Sequence, residues 1–110
     1  MAVYTTNLTI YIGTDFDQVF VLEDNGGLMY LNGYTIISKI KKNPLSLTSK
    51  LFNCSIIDVF SGKIKISMNA NETAQLNPGK YLYDIVLYKD GITTRIIEGE
   101  IFVKRPVTRY

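Results

Sequence analysis

The stretch Leu76-Asn77-Pro78-Gly79-Lys80-Tyr81-Leu82-Tyr83-Asp84 constrains this chain more than any other segment. Proline presets φ near about −65° and glycine supplies the positive φ that often follows it, so Pro78-Gly79 reads as a turn. The turn releases the chain into a strand carrying tyrosines on alternate residues, Tyr81 and Tyr83.

The rest of the sequence repeats that grammar. Period-two alternation recurs with turn signals roughly every 8–15 residues, as in an all-β sandwich or barrel. Leu8, Ile10 and Ile12 alternate with Thr9 and Tyr11 in a first strand ending at Gly13. A second strand runs from Phe16 to Glu23, with Phe16, Gln18, Phe20 and Leu22 on one face. Val19 and Val21 fall on its other face, so cover on both sides is expected. Asp24-Asn25-Gly26-Gly27 is a strong turn signal. After Asn32-Gly33, Tyr34, Ile36, Ser38 and Ile40 face one way, and Thr35, Ile37, Lys39 and Lys41 the other. The segment Lys42 to Lys50, which contains Pro44, reads as a loop, and the apolar run Leu51 to Phe60 as a central strand. Ser61-Gly62 turns the chain into Lys63 to Met68, with Ile64, Ile66 and Met68 inward and Lys63 and Lys65 outward.

Asn69 to Leu76 is the one segment compatible with helix, because Glu72 follows Asn69 at capping-box spacing, with Asn71 as the other candidate cap. Lys80 to Tyr88, the turn Lys89-Asp90-Gly91 and Ile92 to Lys104 form a terminal hairpin. On its return limb Ile97, Gly99, Ile101 and Val103 share a face, and Glu98, Glu100 and Phe102 share the other. A glycine inside a strand marks a bulge or a close backbone approach, and Gly99 is placed for either.

The order leucine, turn, glycine, tyrosine resembles the lead-in to strand F of immunoglobulin-like sandwiches. There a corner tyrosine returns its hydroxyl to upstream backbone, two residues before a cysteine in antibody domains. The resemblance makes Pro78, Gly79 and Tyr81 the structural corner and puts Tyr83 in the cysteine place, as in a disulfide-free relative. The expected fold is an all-β, immunoglobulin-like antiparallel β-sandwich of about seven to eight strands with at most one short helical turn. Residues 1–104 would form this single domain, and residues 105–110, broken by Pro106, an extended tail.

Composition supports one such domain. The chain has 110 residues, is 46% hydrophobic and carries a net charge of +2. That charge is too small to aim a field at nucleic acid or anionic lipid. No apolar run approaches the roughly 20 residues of a membrane-spanning helix. The first residues lack the basic and apolar regions of a secretory signal, so synthesis in a cytoplasm is expected. The single cysteine, Cys54, cannot form an internal disulfide and is expected as a small buried hydrophobe. Without a secretory route, the sequons at Asn7, Asn53 and Asn71 carry no glycan.

Catalytic chemistry is poorly supplied. Histidine is absent, which removes the commonest general base and metal ligand. One cysteine and no histidine leave no zinc site of the usual kind, no serine triad and no paired cysteine nucleophile. Asn25-Gly26-Gly27 is not followed by the lysine of a phosphate loop. The acidic pairs Asp15 with Asp17, Glu23 with Asp24, and Glu98 with Glu100 stand at i, i+1 or i, i+2. A solvated strand start accounts for the first, and cross-strand partnership with Lys and Arg for the last. No catalytic, metal-binding or cofactor-binding residue is assigned, and neither enzyme activity nor a cofactor is expected. Lys39, Lys41, Lys63 and Lys65 would make one basic face if their strands paired, the surface of a single-strand binder with Tyr11 or Tyr88 nearby; protection of exposed strands is the plainer reading. Of the tyrosines, Tyr81 and Tyr83 are expected to be structural, while Tyr4, Tyr11, Tyr30, Tyr88 and Tyr110 are available to an interface.

Taken in order, further segments resemble a family of small virion structural proteins of tailed bacteriophages. These have one immunoglobulin-like domain, similar to the N-terminal domain of phage baseplate upper proteins. The segments are Asn7-Leu8-Thr9-Ile10, Gly13-Thr14-Asp15-Phe16, Phe20-Val21-Leu22 and Leu31-Asn32-Gly33-Tyr34-Thr35. They continue with Gly62-Lys63-Ile64-Lys65-Ile66, Glu72-Thr73-Ala74, the corner segment, Arg95-Ile96-Ile97-Glu98-Gly99 and Val107-Thr108-Arg109. Asn32 stands where threonine is usual in that family, and Leu28-Met29-Tyr30 replaces a more polar run. The resemblance implies a non-enzymatic virion part at a tail, baseplate, neck or head surface, made in the host cytoplasm without a signal peptide. Its partners would be copies of itself or neighbouring tail, baseplate, neck or capsid subunits, with no membrane, and nucleic acid is not expected. Arg105, Val107, Thr108, Arg109 and Tyr110 are the expected interface. The alternatives are a carbohydrate- or receptor-binding module on the virion, or a single-stranded nucleic-acid-binding domain.

Overall fold

The structure, a computed structural model, describes residues 4–24, 26–42 and 49–107. In chain order the strands are β1 (Tyr4–Thr5), β2 (Leu8–Tyr11), β3 (Phe16–Val21), β4 (Glu23–Asp24), β5 (Gly27–Leu28) and β6 (Thr35–Lys41). They continue with β7 (Lys50–Leu51), β8 (Asn53–Asp58), β9 (Lys63–Met68), β10 (Gly79–Lys89) and β11 (Ile92–Lys104), and α1 (Ala70–Thr73) precedes β10. Seven strands have four residues or more; β1, β4, β5 and β7 are two-residue pieces at breaks and turns. Asn25 of the first turn and Pro44 of the expected loop lie outside the described residues.

Two layers form the molecule. The larger sheet runs β1-β11-β10-β6-β7 with β2 also on β11, and the smaller runs β3-β9-β8. These are the G-F-C and B-E-D orders of an immunoglobulin sandwich, so the all-β, immunoglobulin-like architecture is observed. The core lies between the layers. Ile64, Ile66 and Met68 of β9 face Tyr83, Ile85 and Leu87 of β10, flanked by Ile40, Ile97, Ile101, Leu8 and Ile10, and all are buried.

Alternation decides this division, since successive strand residues point to opposite faces. Both hairpins beside the core keep it. Lys80 to Tyr88 pairs with β11 through a two-residue turn in which Asp90 has φ 54° and Gly91 φ 80°, the geometry whose twist suits a tight hairpin. One irregularity falls between Ile85 and Val86, opposite Ile96. That bulge lets consecutive residues, Ile96 and Ile97, both be buried, and it returns Arg95 to the outer face with Glu98.

Three features differ from the sequence expectations. The sandwich is not wholly antiparallel: β1 and β2 both run parallel to β11. No tight turn joins these strands, so nothing forces opposite directions, and alternation in the sequence is blind to strand direction. The apolar run after Leu51 is not a central strand. β8 pairs only with β9 and forms the sheet edge, where Ile57 is exposed and Cys54 half-buried. The central strand is β9. Val19 and Val21 are likewise uncovered on the outer face of β3, because no third layer packs there.

Gly99 supplies the close approach. A Cβ there would collide with the Thr6 carbonyl oxygen, so only glycine lets the chain pass between β1 and β2. The passage is held from three sides. The Thr6 N–H donates to the Glu98 carbonyl at 2.9 Å, the Asn7 side-chain oxygen accepts the Glu100 N–H at 3.0 Å, and the buried Tyr83 hydroxyl donates to the Thr6 carbonyl at 2.6 Å. Tyr83 is also the register partner of Gly99, and its hydroxyl bonds the same Thr6 carbonyl that takes the place of the missing side chain.

The helical turn is positioned with similar economy. Asn69 caps α1, accepting the Glu72 N–H while Glu72 accepts the Asn69 N–H. Asp15 takes the next free donor, the Ala70 N–H, at 2.8 Å. Buried Thr73 donates to the Thr14 carbonyl at 2.8 Å and accepts the Gly13 N–H at 3.1 Å. The crossing from β9 to β10 is thus tied to the turn before β3.

Gly99→Ala is expected to lower unfolding free energy by more than about 2 kcal/mol, since strand backbone must move, and Tyr83→Phe by about 1–2 kcal/mol; urea unfolding measures both. Burial pushes the Tyr83 phenol from 10.0 up to about 12. Its raised value means the protonated form is favoured in the fold. This contribution is complete below pH 10 and is lost as pH rises toward about 12. Alkaline titration followed by phenolate absorbance should show a late-ionising phenol that is missing in Tyr83→Phe.

Candidate docking surface

The outer face of the larger sheet gathers most of the side chains that alternation turns away from the core. Adjacent rows cross its strands in register. Lys39 stands beside Asp84 and Asp84 beside Glu98; Lys41 stands beside Leu82 and Leu82 beside Glu100. Toward the hairpin tip Ile37 stands beside Val86 and Val86 beside Arg95, then Thr35 beside Tyr88 and Tyr88 beside Thr93. A groove of about 600 Å³ follows the charged rows, its walls including Lys39, Lys41, Asp84 and Glu100.

Charge is ordered in the two middle rows of this face. There the cations Lys39 and Lys41 lie on β6 and the carboxylates Glu98 and Glu100 on β11, with β10 between them, while Arg95 of β11 stands in the next row beside Val86. Glu100 pairs with Lys80 at 3.0 Å, and Arg95 with Asp84 at 3.4 Å and Glu98 at 3.7 Å. Lys39 and Lys41 form no ion pair among the described residues. Exposed pairs of this kind contribute about 0–1 kcal/mol each, so the pattern adds little to stability.

The lysines do not make one basic surface. Lys39 and Lys41 lie outward on the larger sheet, whereas Lys63 and Lys65 lie on β9 of the smaller, whose inward residues fill the core. Their outward faces are on opposite sides of the sandwich. The strands do not pair because β6 turns back through β7 and β10, while β9 sits between β3 and β8. The condition for a single basic face is therefore not met.

Pro78, Gly79 and Tyr81 come together at the start of β10. Gly79 has φ 143°, a conformation that favours glycine. The Tyr81 hydroxyl donates to the Asn77 carbonyl at 2.9 Å, the backbone return of a tyrosine corner. The Lys42 ammonium lies 4.7 Å from the centre of that ring. Arg105 and Val107 follow β11 outside any strand and are exposed; Thr108, Arg109 and Tyr110 lie outside the described residues. Among the acids, Asp15 serves α1 and Asp17 is exposed beside Ser67. The Asp58 carboxyl sits below its usual range because it accepts hydrogen bonds from the Ser61 hydroxyl and then from the Phe60 N–H of the same turn. Half-burial pushes the Cys54 thiol up. Among the described residues, no helix is long and apolar enough to cross a membrane.

Sequence reasoning missed one feature. Tyr30 and Phe60 stack with ring centres 5.5 Å apart, and they are 55% and 77% exposed. They lie in different turns, joined by the Leu31 N–H donating to the Val59 carbonyl. Only the tyrosine carried a signal, as a residue type common at interfaces.

No protein-family model and no curated protein matches the chain. Among solved structures it is similar to the N-terminal domain of phage TP901-1 ORF48, with TM-score 0.57 and 13% identity over 94% of this chain and 85% of that one. InlP of Listeria monocytogenes aligns with TM-score 0.44 and 11% identity, covering 92% of this chain and 26% of that one. A family 123 glycoside hydrolase from Clostridium perfringens aligns with TM-score 0.47 and 16% identity, covering 99% and 24%. At such identity the phage likeness is one of fold.

Arg95→Ala removes both ion pairs of that guanidinium. It should change unfolding free energy by less than about 1 kcal/mol, as measured in urea, marking the face as dispensable for folding.

Proposed function

We propose that this chain is a non-enzymatic structural component of a tailed-bacteriophage virion, working by protein–protein docking in a symmetric assembly. The observation that carries this reading is the match in fold, over most of both chains, to a domain of a phage protein. The ordered segments that resemble those of virion structural proteins support it. The chemistry agrees: the chain has no histidine, and Asp15, Glu98 and Glu100 are engaged in capping and ion pairs.

A rigid sandwich offers outward faces and edge strands to neighbours, and repetition in a symmetric particle makes a modest single contact sufficient. Its place is the virion, at a tail, baseplate, neck or head surface, after synthesis in the host cytoplasm. Copies of itself or adjacent virion subunits are its partners. Residues 105–110 act as an arm, with Arg105 and Arg109 as polar anchors and Val107 and Tyr110 as apolar ones.

A second reading rests on the stacked Tyr30 and Phe60. Exposed aromatic faces beside the polar turn at Asp58 suit the apolar face of a sugar ring, as in a carbohydrate-binding module decorating the virion. Glycan-array binding that is lost in Phe60→Ala would favour it; no binding by the native protein removes it.

Deleting residues 105–110 should leave the unfolding midpoint nearly unchanged and reduce the amount of protein in purified particles several-fold, read by quantitative mass spectrometry. Unchanged incorporation removes the arm, and absence of the native protein from particles removes the virion assignment.

A further inference from the structure

The outer face of the larger sheet is complementary to itself. Along β10 its outward residues are Lys80, which Glu100 holds at 3.0 Å, then Leu82, Asp84, Val86 and Tyr88, three of them with apolar or aromatic bodies. On either side stand residues of opposite charge in the same rows, Lys39 opposite Glu98 across Asp84, and Lys41 opposite Glu100 across Leu82. Within one chain each such pair is two strands apart, about 10 Å, beyond ion-pair reach.

We infer that this face binds a second copy of the chain about a two-fold axis running along β10. Such an axis in the plane of contact exchanges left and right but keeps each row at its level. Lys39 of one copy then meets Glu98 of the other, and Lys41 meets Glu100, each contact occurring twice. Val86 and Leu82 meet their own copies on the axis. Asp84, which also meets itself, is held by Arg95 at 3.4 Å and flanked by the second copy's lysine row. A two-fold axis across the strands at the level of Ile40 would instead set β6 against β6, bringing Lys39 to Lys41 and Glu98 to Glu100, which like-charge repulsion disfavours. Charge order therefore favours the axis along β10 over that arrangement, and the axis along β10 places both hairpin tips at the same end of the pair.

The contact is small. Four strands by about seven residues span roughly 19 by 23 Å at ordinary sheet spacing, at the low end of specific interfaces. The pair is consequently concentration-dependent, and salt weakens it by screening the lysine–glutamate rows. It is a property of the isolated chain and does not rest on the virion assignment.

Sedimentation velocity of the full chain from about 10 μM to about 1 mM at low salt reads the association directly. A reversible dimer is expected, with Lys39→Glu and Glu98→Lys each weakening it by about tenfold or more. The double variant, which recreates the pair with signs exchanged, should return to within about threefold of the native constant. Thermal melts of each variant confirm that the fold is retained. As a check independent of charge, Val86→Cys in a Cys54→Ser background should oxidise to a covalent dimer, and Ile37→Cys should not, because only Val86 lies on the axis. A chain that stays monomeric at about 1 mM overturns the proposal and leaves the face to a different partner. So does a dimer that is indifferent to the single substitutions, or a double variant no better than its parents.

Discussion

The register of β10 is the constraint on which the rest of the molecule depends. This strand pairs along its length with β11 on one side and with β6 on the other. Because side chains alternate, a slip of one residue would exchange the core-facing set for the solvent-facing set. The register is fixed at several points. The Tyr81 hydroxyl anchors the strand's start to Asn77, and the Asp90-Gly91 turn sets its end. In the middle, the buried Ser38 hydroxyl donates to the Asp84 carbonyl at 2.7 Å. That last bond also satisfies a polar group that would otherwise cost about 1–3 kcal/mol to leave unpaired in the core.

Much of this was legible in the sequence because strand physics is local. Alternation identified the inward residues of β6, β9 and β11, and the spacing of Asn69 and Glu72 identified the capped turn. Asp90-Gly91 demanded a tight hairpin. Features decided by distant backbone were not legible. The parallel placement of β1 and β2 rests on a crossing at Gly99, and the sequence says only that this glycine is exceptional. β8 looked central because Ile56, Ile57 and Val59 are apolar; whether another strand covers such a run depends on the layer order, which hydrophobicity does not encode.

The candidate surface divides in the same way. Which side chains face outward on β6, β10 and β11 follows from the sequence, and so does the partnership of Glu98 and Glu100 with basic residues. The grouping of Lys39 and Lys41 apart from Lys63 and Lys65 does not, since it depends on which sheet each strand joins. Nor could the meeting of Tyr30 with Phe60 be read, because three strands, β6, β7 and β8, lie between them in the chain. Function in this fold is therefore written by sheet membership more than by motif.

The two-sided nature of every strand has an evolutionary consequence. Core positions and outward positions occupy alternating letters of the same words, and the packing of one set makes few demands on the chemistry of the other. A lineage can rewrite its contact surfaces almost completely while the buried letters drift only among similar volumes. Such a scaffold keeps its shape under wide changes of spelling, so a shared fold is compatible with 13% identity.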